Sequence, residues 1–159
     1  PITAFTAEEV WAVLNGEADD SVMFHQWHVL PVLADEAALA AKWALIREVR
    51  NDVTKALEAQ REAGKIGAAL QAAVEIRCSG DKFVALSALG DDLKFVFICS
   101  STVVIEDASE AVLATPLDHA KCERCWHVRA DVGADPAHPG LCGRCVSNLH
   151  GDGEARVCA

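Results

Sequence analysis

The most regular apolar pattern in the chain lies in "EAALAAKWALIREVRNDVTKALEAQREA", residues 36–63. Leu39, Trp43, Ile46, Val49, Val53 and Leu57 recur at steps of three and four, which draws one apolar stripe down a long helix. Asp35 is placed to cap its start and Gly64 to stop it. The opening stretch "PITAFTAEEVWAVL", residues 1–14, predicts a shorter helix. There Thr6 stands as N-cap, Glu9 completes a capping box, and Phe5 is set to staple onto Val10. The turn "GEADDS" ends it. "SVMFHQWHVLP" carries Phe24 and Trp27 with no clean period, and reads as irregular chain that docks its aromatics onto the body.

Beyond Gly64 the period changes. "AAVEIRC" alternates and predicts a strand, and "DKFVALSAL" predicts a short helix. "GDDLKFVFICS" is helix or strand, because its apolar run is too short to decide. "STVVIED", rich in β-branched residues, predicts a second strand. "ASEAVLATPLDHA", broken by Pro116, reads as a connector. The pattern as a whole predicts an α+β chain. It comprises a helical segment over 1–65 with one long helix, a small α/β unit with its connector over 66–118, and a cysteine-rich module over 119–159.

That last module changes the picture most. It holds two Cys-x-x-Cys pairs, Cys122/Cys125 and Cys142/Cys145, with sixteen residues (126–141) between the inner members. Each pair presents two thiolates from one tight turn, and two such knuckles at this separation can close around one tetrahedral zinc ion. Gly133, Pro136, Pro139 and Gly140 suit the intervening loop to turning back. A redox Cys-x-x-Cys ordinarily comes singly and beside a βαβ pattern, and an iron–sulfur cluster is a weaker fit to two knuckles. His127, His138 and His150 lie near, but four cysteines already fill the tetrahedron. A filled site leaves no open coordination position, so the expected Zn2+ is structural.

Charge and composition narrow the function. The formal net charge is −10. Residues 119–159 hold five basic side chains (Lys121, Arg124, Arg129, Arg144, Arg156) and five acidic ones (Glu123, Asp131, Asp135, Asp152, Glu154), so all the excess negative charge falls in 1–118. A broad basic face for sequence-independent nucleic-acid binding is therefore not expected, although the neutral tail could touch phosphates locally. Arg124 and Arg144 would offset the net −2 of a zinc tetrathiolate and could also face RNA. Arg47 and Arg50 on the long helix are candidate phosphate contacts, against the ordinary reading of mixed charge as a solvated face. Seven cysteines in a chain this long do not suggest a secreted disulfide scaffold, and a reducing, cytoplasmic setting is expected. Cys78 and Cys99 read as small buried hydrophobes, and Cys158 has no evident role. No eighteen-residue apolar run predicts a membrane span, and the start has no secretory pattern. Phosphate-loop, nucleophile-elbow and HExxH motifs are absent, so the chain by itself shows no active site.

"KCERCWHVRADVG", followed by "LCGRCVSNLHGDGEARVCA", closely resembles the carboxyl-terminal zinc-binding segment of bacterial isoleucyl-tRNA synthetases. "PITAFTAEEVW" is similar to a stretch of the helical anticodon-binding domain in the same group, and "LIREVRNDVTKALEAQREAGKIGAALQAAVEI" resembles its long helix and following Ile-Gly segment. The match is loosest at 17–34 and 106–118. The resemblance implies a carboxyl-terminal fragment of a longer ligase that attaches isoleucine to its tRNA with ATP. The ATP and Mg2+ sites and the editing domain would lie upstream. It implies a monomer whose partners are isoleucine tRNA and the remainder of the synthetase. Residues 1–65 would then be the end of the anticodon-binding domain and 119–159 its zinc-binding module. Trp126, beside a zinc ligand, is expected to pack over the knuckle as a small core; if exposed, it could stack on an unpaired base. Other classes remain open. One is a free-standing zinc-ribbon module for nucleic-acid binding or protein docking. Another is the zinc-finger end of a base-excision DNA glycosylase, whose acidic residue after an amino-terminal proline is missing from "PITAF".

Overall fold

The computed structural model describes residues 3–16 and 20–154. Expectations for residues 1–2 and 17–19 and for Cys158 lie outside them. The chain forms two compact units, residues 1–36 and 37–159.

In the first unit α1 spans Ala4–Asn15, and a 3-10 turn follows at Val22–Phe24. Thr6 is therefore inside the helix and is not its cap. The capping position falls on Thr3, whose side chain makes no capping bond, while its carbonyl accepts from Ala7 N–H at 2.7 Å. Phe5 and Val10, expected to staple, are both exposed, as are Phe24 and Trp27. Polar contacts hold the unit instead. Trp11 Nε1 donates to Asp20 at 3.1 Å, His25 Nε2 sits 2.8 Å from the same carboxylate, and the Trp11 and His25 rings meet at 4.5 Å. Those bonds, with His25 the larger influence, keep the Asp20 carboxyl below its ordinary range.

α2 runs Glu36–Glu62, directly after Asp35, and all of it but Glu36 belongs to the second unit. Ile46, Val49, Val53 and Leu57 are buried, Trp43 packs half-buried against the core, and only Leu39 of the expected stripe is exposed. Gly64, with φ 68°, lets the chain reverse. Its N–H bonds the carbonyl of Arg61 at 2.9 Å while Lys65 N–H reaches Gln60 at 3.0 Å, a pairing that satisfies two carbonyls of the last turn. β1 (Ala72–Cys78) buries alternate residues Ala72, Val74, Ile76 and Cys78. α3 (Gly80–Ser87) and α4 (Leu93–Phe97) then carry the chain across to β2 (Ser101–Glu106), which lies parallel to β1. The ambiguous segment is thus helical, and it buries Leu93 and Phe97.

The expected connector is a third strand. β3 (Ala111–Pro116) pairs antiparallel with β1, giving the order β2-β1-β3. Pro116 disguised it. On an edge strand a residue without an N–H is tolerated, and here it occupies the last position, opposite Ala72. α2, α3, α4 and the inner face of β1 close one hydrophobic core around Ile46, Ile76, Leu86 and Leu93. The last helix among the described residues is α5 (Gly143–His150), in the cysteine-rich module.

Candidate metal centre

Two different turns bring the cysteines together. In the first knuckle an isolated bridge pairs Lys121 with Val128, Cys122 N–H bonds His127 O at 2.9 Å, and Trp126 N–H bonds Cys122 O at 2.9 Å. Closing so tight a loop puts Trp126 at φ 65°, a left-handed backbone that a bulky residue rarely adopts. In the second, Cys142 precedes the first residue of α5 and Cys145 lies in its first turn. The knuckles are tied directly by Glu123 N–H to Gly140 O at 3.0 Å and Cys142 N–H to Cys122 Sγ at 3.4 Å. Asp131, paired with Arg129 at 2.8 Å, also accepts Gly143 N–H at 3.1 Å and so anchors the start of α5.

The result is a cluster in which the four Sγ atoms lie within 4.8 Å of one another; Cys122, Cys142 and Cys145 are buried and Cys125 half-buried. Cys125 and Cys142 sulfurs are 3.7 Å apart, far beyond a disulfide bond. A zinc–sulfur bond of about 2.3 Å in a tetrahedron sets sulfur pairs about 3.8 Å apart, so the donor set fits one zinc ion. Electrostatics agree. Burial opposes ionisation of Cys122, but backbone N–H groups of Cys125, Cys142 and Arg124 outweigh it and bring the thiol down to about 6. Burial and the three crowded thiols push Cys125 up to about 12. Four sulfurs this close cannot all carry charge without a cation among them, and a divalent ion resolves that conflict.

The surroundings separate the remaining candidates. Arg124 reaches the cluster itself, its Nη1 3.6 Å from Cys145 Sγ. Arg144 is largely covered: it pairs with Glu154 at 2.7 Å and its guanidinium lies 4.8 Å over the Phe95 ring. Trp126 does not form the expected mini-core. It is 61 % exposed, with Lys121 Nζ 6.0 Å from its ring centroid, because the left-handed turn that closes the knuckle directs the indole outward. Arg47 and Arg50 are exposed on α2 and are not part of this cluster; Arg50 Nε donates to Val96 O at 3.1 Å. His127 is buried with Nδ1 3.2 Å from Cys125 O and its ring edge-on to Phe95, and burial holds its pKa down.

No sequence pattern marks the joint between this module and the sheet. Buried Ser100 donates through Oγ to Leu70 O and accepts Val128 N–H at 2.8 Å, so one hydroxyl links the strand unit to the first knuckle. A lone serine carries no pattern that periodicity could detect.

Residues 121–148 match the family described as "Zinc finger found in FPG and IleRS". The chain is 76% identical over 159 residues to an isoleucine–tRNA ligase of Dechloromonas aromatica (strain RCB), covering 100% of this chain and 17% of that protein. Ligases of the same name from Janthinobacterium sp. (strain Marseille) and Aromatoleum aromaticum are 57% and 52% identical over 98% and 99% of the chain, again 17% of each relative. The chain thus spans about a sixth of the length of these relatives. The similarity runs along the whole chain and not along the zinc finger alone, so the chain is similar throughout its length to a segment of the isoleucine–tRNA ligases.

Proposed function

We propose that this chain is the carboxyl-terminal, tRNA-recognising part of an isoleucyl-tRNA synthetase, whose remaining chain supplies ATP-dependent attachment of isoleucine to its tRNA. The observation that carries the proposal is the 76% identity along all 159 residues to a ligase of that name, joined to a four-sulfur cluster inside the matched zinc finger. In this reading Cys122, Cys125, Cys142 and Cys145 hold one structural Zn2+, which fixes the two knuckles and takes no part in chemistry. ATP and Mg2+ belong to the catalytic part of the synthetase. Arg124 and the exposed Trp126 face RNA, with Arg144, Arg47 and Arg50 as secondary contacts. Residues 1–65 form the end of the anticodon-binding domain, 66–118 the small α+β unit, and 119–159 the zinc-binding module. The ligase works as a cytoplasmic monomer. No helix among the described residues is long and apolar enough to cross a membrane.

The test separates tRNA recognition from amino-acid activation. In the complete ligase, Cys142→Ser is expected to release zinc and lower tRNA charging at least tenfold. Isoleucine-dependent exchange of pyrophosphate into ATP should stay near the wild-type rate. Equal loss of both activities would place this segment in the catalytic machinery and reject the reading.

A further inference from the structure

A second surface adjoins the metal centre without belonging to it. Between the loop that ends α2 and the first knuckle lies a cleft of about 420 Å³. Ile66, Leu117 and Val128 form its apolar floor, and Lys65, His119 and Lys121 its charged and polar rim. No carboxylate lines it among the described residues, although the chain as a whole carries −10. Both lysines are exposed and neither is ion-paired among the described residues. The neighbouring cleft beyond His119 differs: its acidic residues Asp91 and Asp131 are already paired with Lys94 and Arg129. Positive charge is therefore left uncompensated on one side only.

The backbone under both lysines is fixed. Lys65 N–H closes the end of α2, and Lys121 is held in the bridge to Val128, which Ser100 in turn secures. Lys121 also stands beside the exposed Trp126 ring. The Lys121 end of the cleft thus neighbours a flat aromatic face that lies outside its lining, and the pairing of charges for phosphate with a ring for bases is how single-stranded nucleic acid is gripped.

We infer that this cleft is a phosphate track: Lys65, His119 and Lys121 follow the backbone of an unpaired tRNA segment whose next base stacks on Trp126. The inference rests on the tRNA reading above and names residues that reading does not contain. Duplex RNA is the poorer fit, because a base must be splayed out to reach the indole.

Titrating the complete ligase with isoleucine tRNA between 50 and 200 mM salt tests it. Each phosphate contact to a single strand contributes about −0.7 to the slope of log K against log salt, so Lys65→Ala with Lys121→Ala should flatten the slope by about 1.4. Weakening should be equal for cognate and non-cognate tRNA, since phosphates carry no sequence. The Lys-to-Arg pair should restore the slope. Trp126→Ala should lower affinity about 5- to 150-fold with the slope intact, as expected for a lost stacked base. Zinc content and melting temperature of each variant confirm folding. An unchanged slope in the double alanine variant, or a flattened one in the arginine pair, overturns the track and leaves the tRNA reading standing. A wild-type ligase with no salt-dependent affinity for the tRNA overturns the tRNA reading itself.

Discussion

Residues 37–154 contain two interiors built on different physics. The first is a conventional core in which α2, α3, α4 and β1 bury aliphatic side chains such as Ile46, Val53, Ile76, Leu86 and Leu93. The second buries three cysteines, with Cys125, Val132 and Leu141 packed partly against them. Segments as short as the knuckle region remove too little apolar surface from water to offset the entropy of ordering the chain. Its α5 of eight residues would not hold alone in water either. The lesson is that the sheet unit can be specified by hydrophobic pattern, whereas the knuckles are specified by metal donors and turn residues.

The largest expected effect follows from that difference. Apparent zinc-binding free energies of structural sites are about 10–16 kcal/mol at neutral pH and are coupled to folding. Cys142→Ser, or chelation, should therefore raise hydrogen exchange over 121–150 close to the unfolded rate while α2 and β1 keep their protection. The reciprocal variant is Ile76→Ala, which opens a cavity beside the other interior at a cost of about 2–5 kcal/mol. It should lower the melting temperature of the sheet unit and leave one zinc per chain by elemental analysis. Zinc loss in Ile76→Ala, or deprotection of β1 in Cys142→Ser, would show that the two interiors form one cooperative unit.

The same division explains which features could be seen in advance. The stripe Ile46, Val49, Val53 and Leu57 was legible because every step matched a helical period, and the cysteine pairs because metal geometry restricts spacing. β3 was not. Ala111, Ala114 and Pro116 make poor strand signals, and the strand exists because β1 offers an unpaired edge. Thr6 and Glu9 form a capping signature, yet α1 continues to Ala4: local capping chemistry is worth only about 1 kcal/mol and is readily overridden. Trp126 was expected to pack because indoles usually bury. Its orientation is set by the φ of one residue in a closed turn, which residue type does not encode. The cleft at Lys65 and Lys121 depends on residues more than fifty positions apart meeting through Val128, and no local pattern contains that.

A smaller effect bears on how the two interiors communicate. Ser100 is buried, and its hydroxyl serves Leu70 O on the sheet side and Val128 N–H on the knuckle side. Ser100→Ala leaves the Val128 N–H only a 3.4 Å approach to Leu70 O. The expected cost is about 1–3 kcal/mol. Because the hydroxyl joins the units without belonging to either core, both zinc content and β1 protection should survive. Exchange at Val128 and Arg129 should rise selectively. A global shift in melting with no local signature at Val128 would make Ser100 an ordinary member of the hydrophobic core.

The smallest effect tests whether charge matters inside the knuckle region once the metal is bound. Arg129, the leading influence, holds the Asp131 carboxyl below its ordinary range, and Gly143 N–H adds to this. A depressed folded pKa stabilises above the unfolded value near 3.9 and loses that contribution as pH falls through the folded value. Between pH 6 and 8 the contribution is therefore constant. Both side chains are about a third exposed, which screens the pair. Asp131→Asn retains an oxygen for Gly143 N–H, so it removes the ion pair alone and should cost at most about 1 kcal/mol. Zinc retention against a competing chelator should fall slightly, by the same factor at pH 6 and pH 8. A factor that changes across this range would mean that the carboxylate acts on the metal-binding sulfurs instead of merely anchoring the first turn of α5.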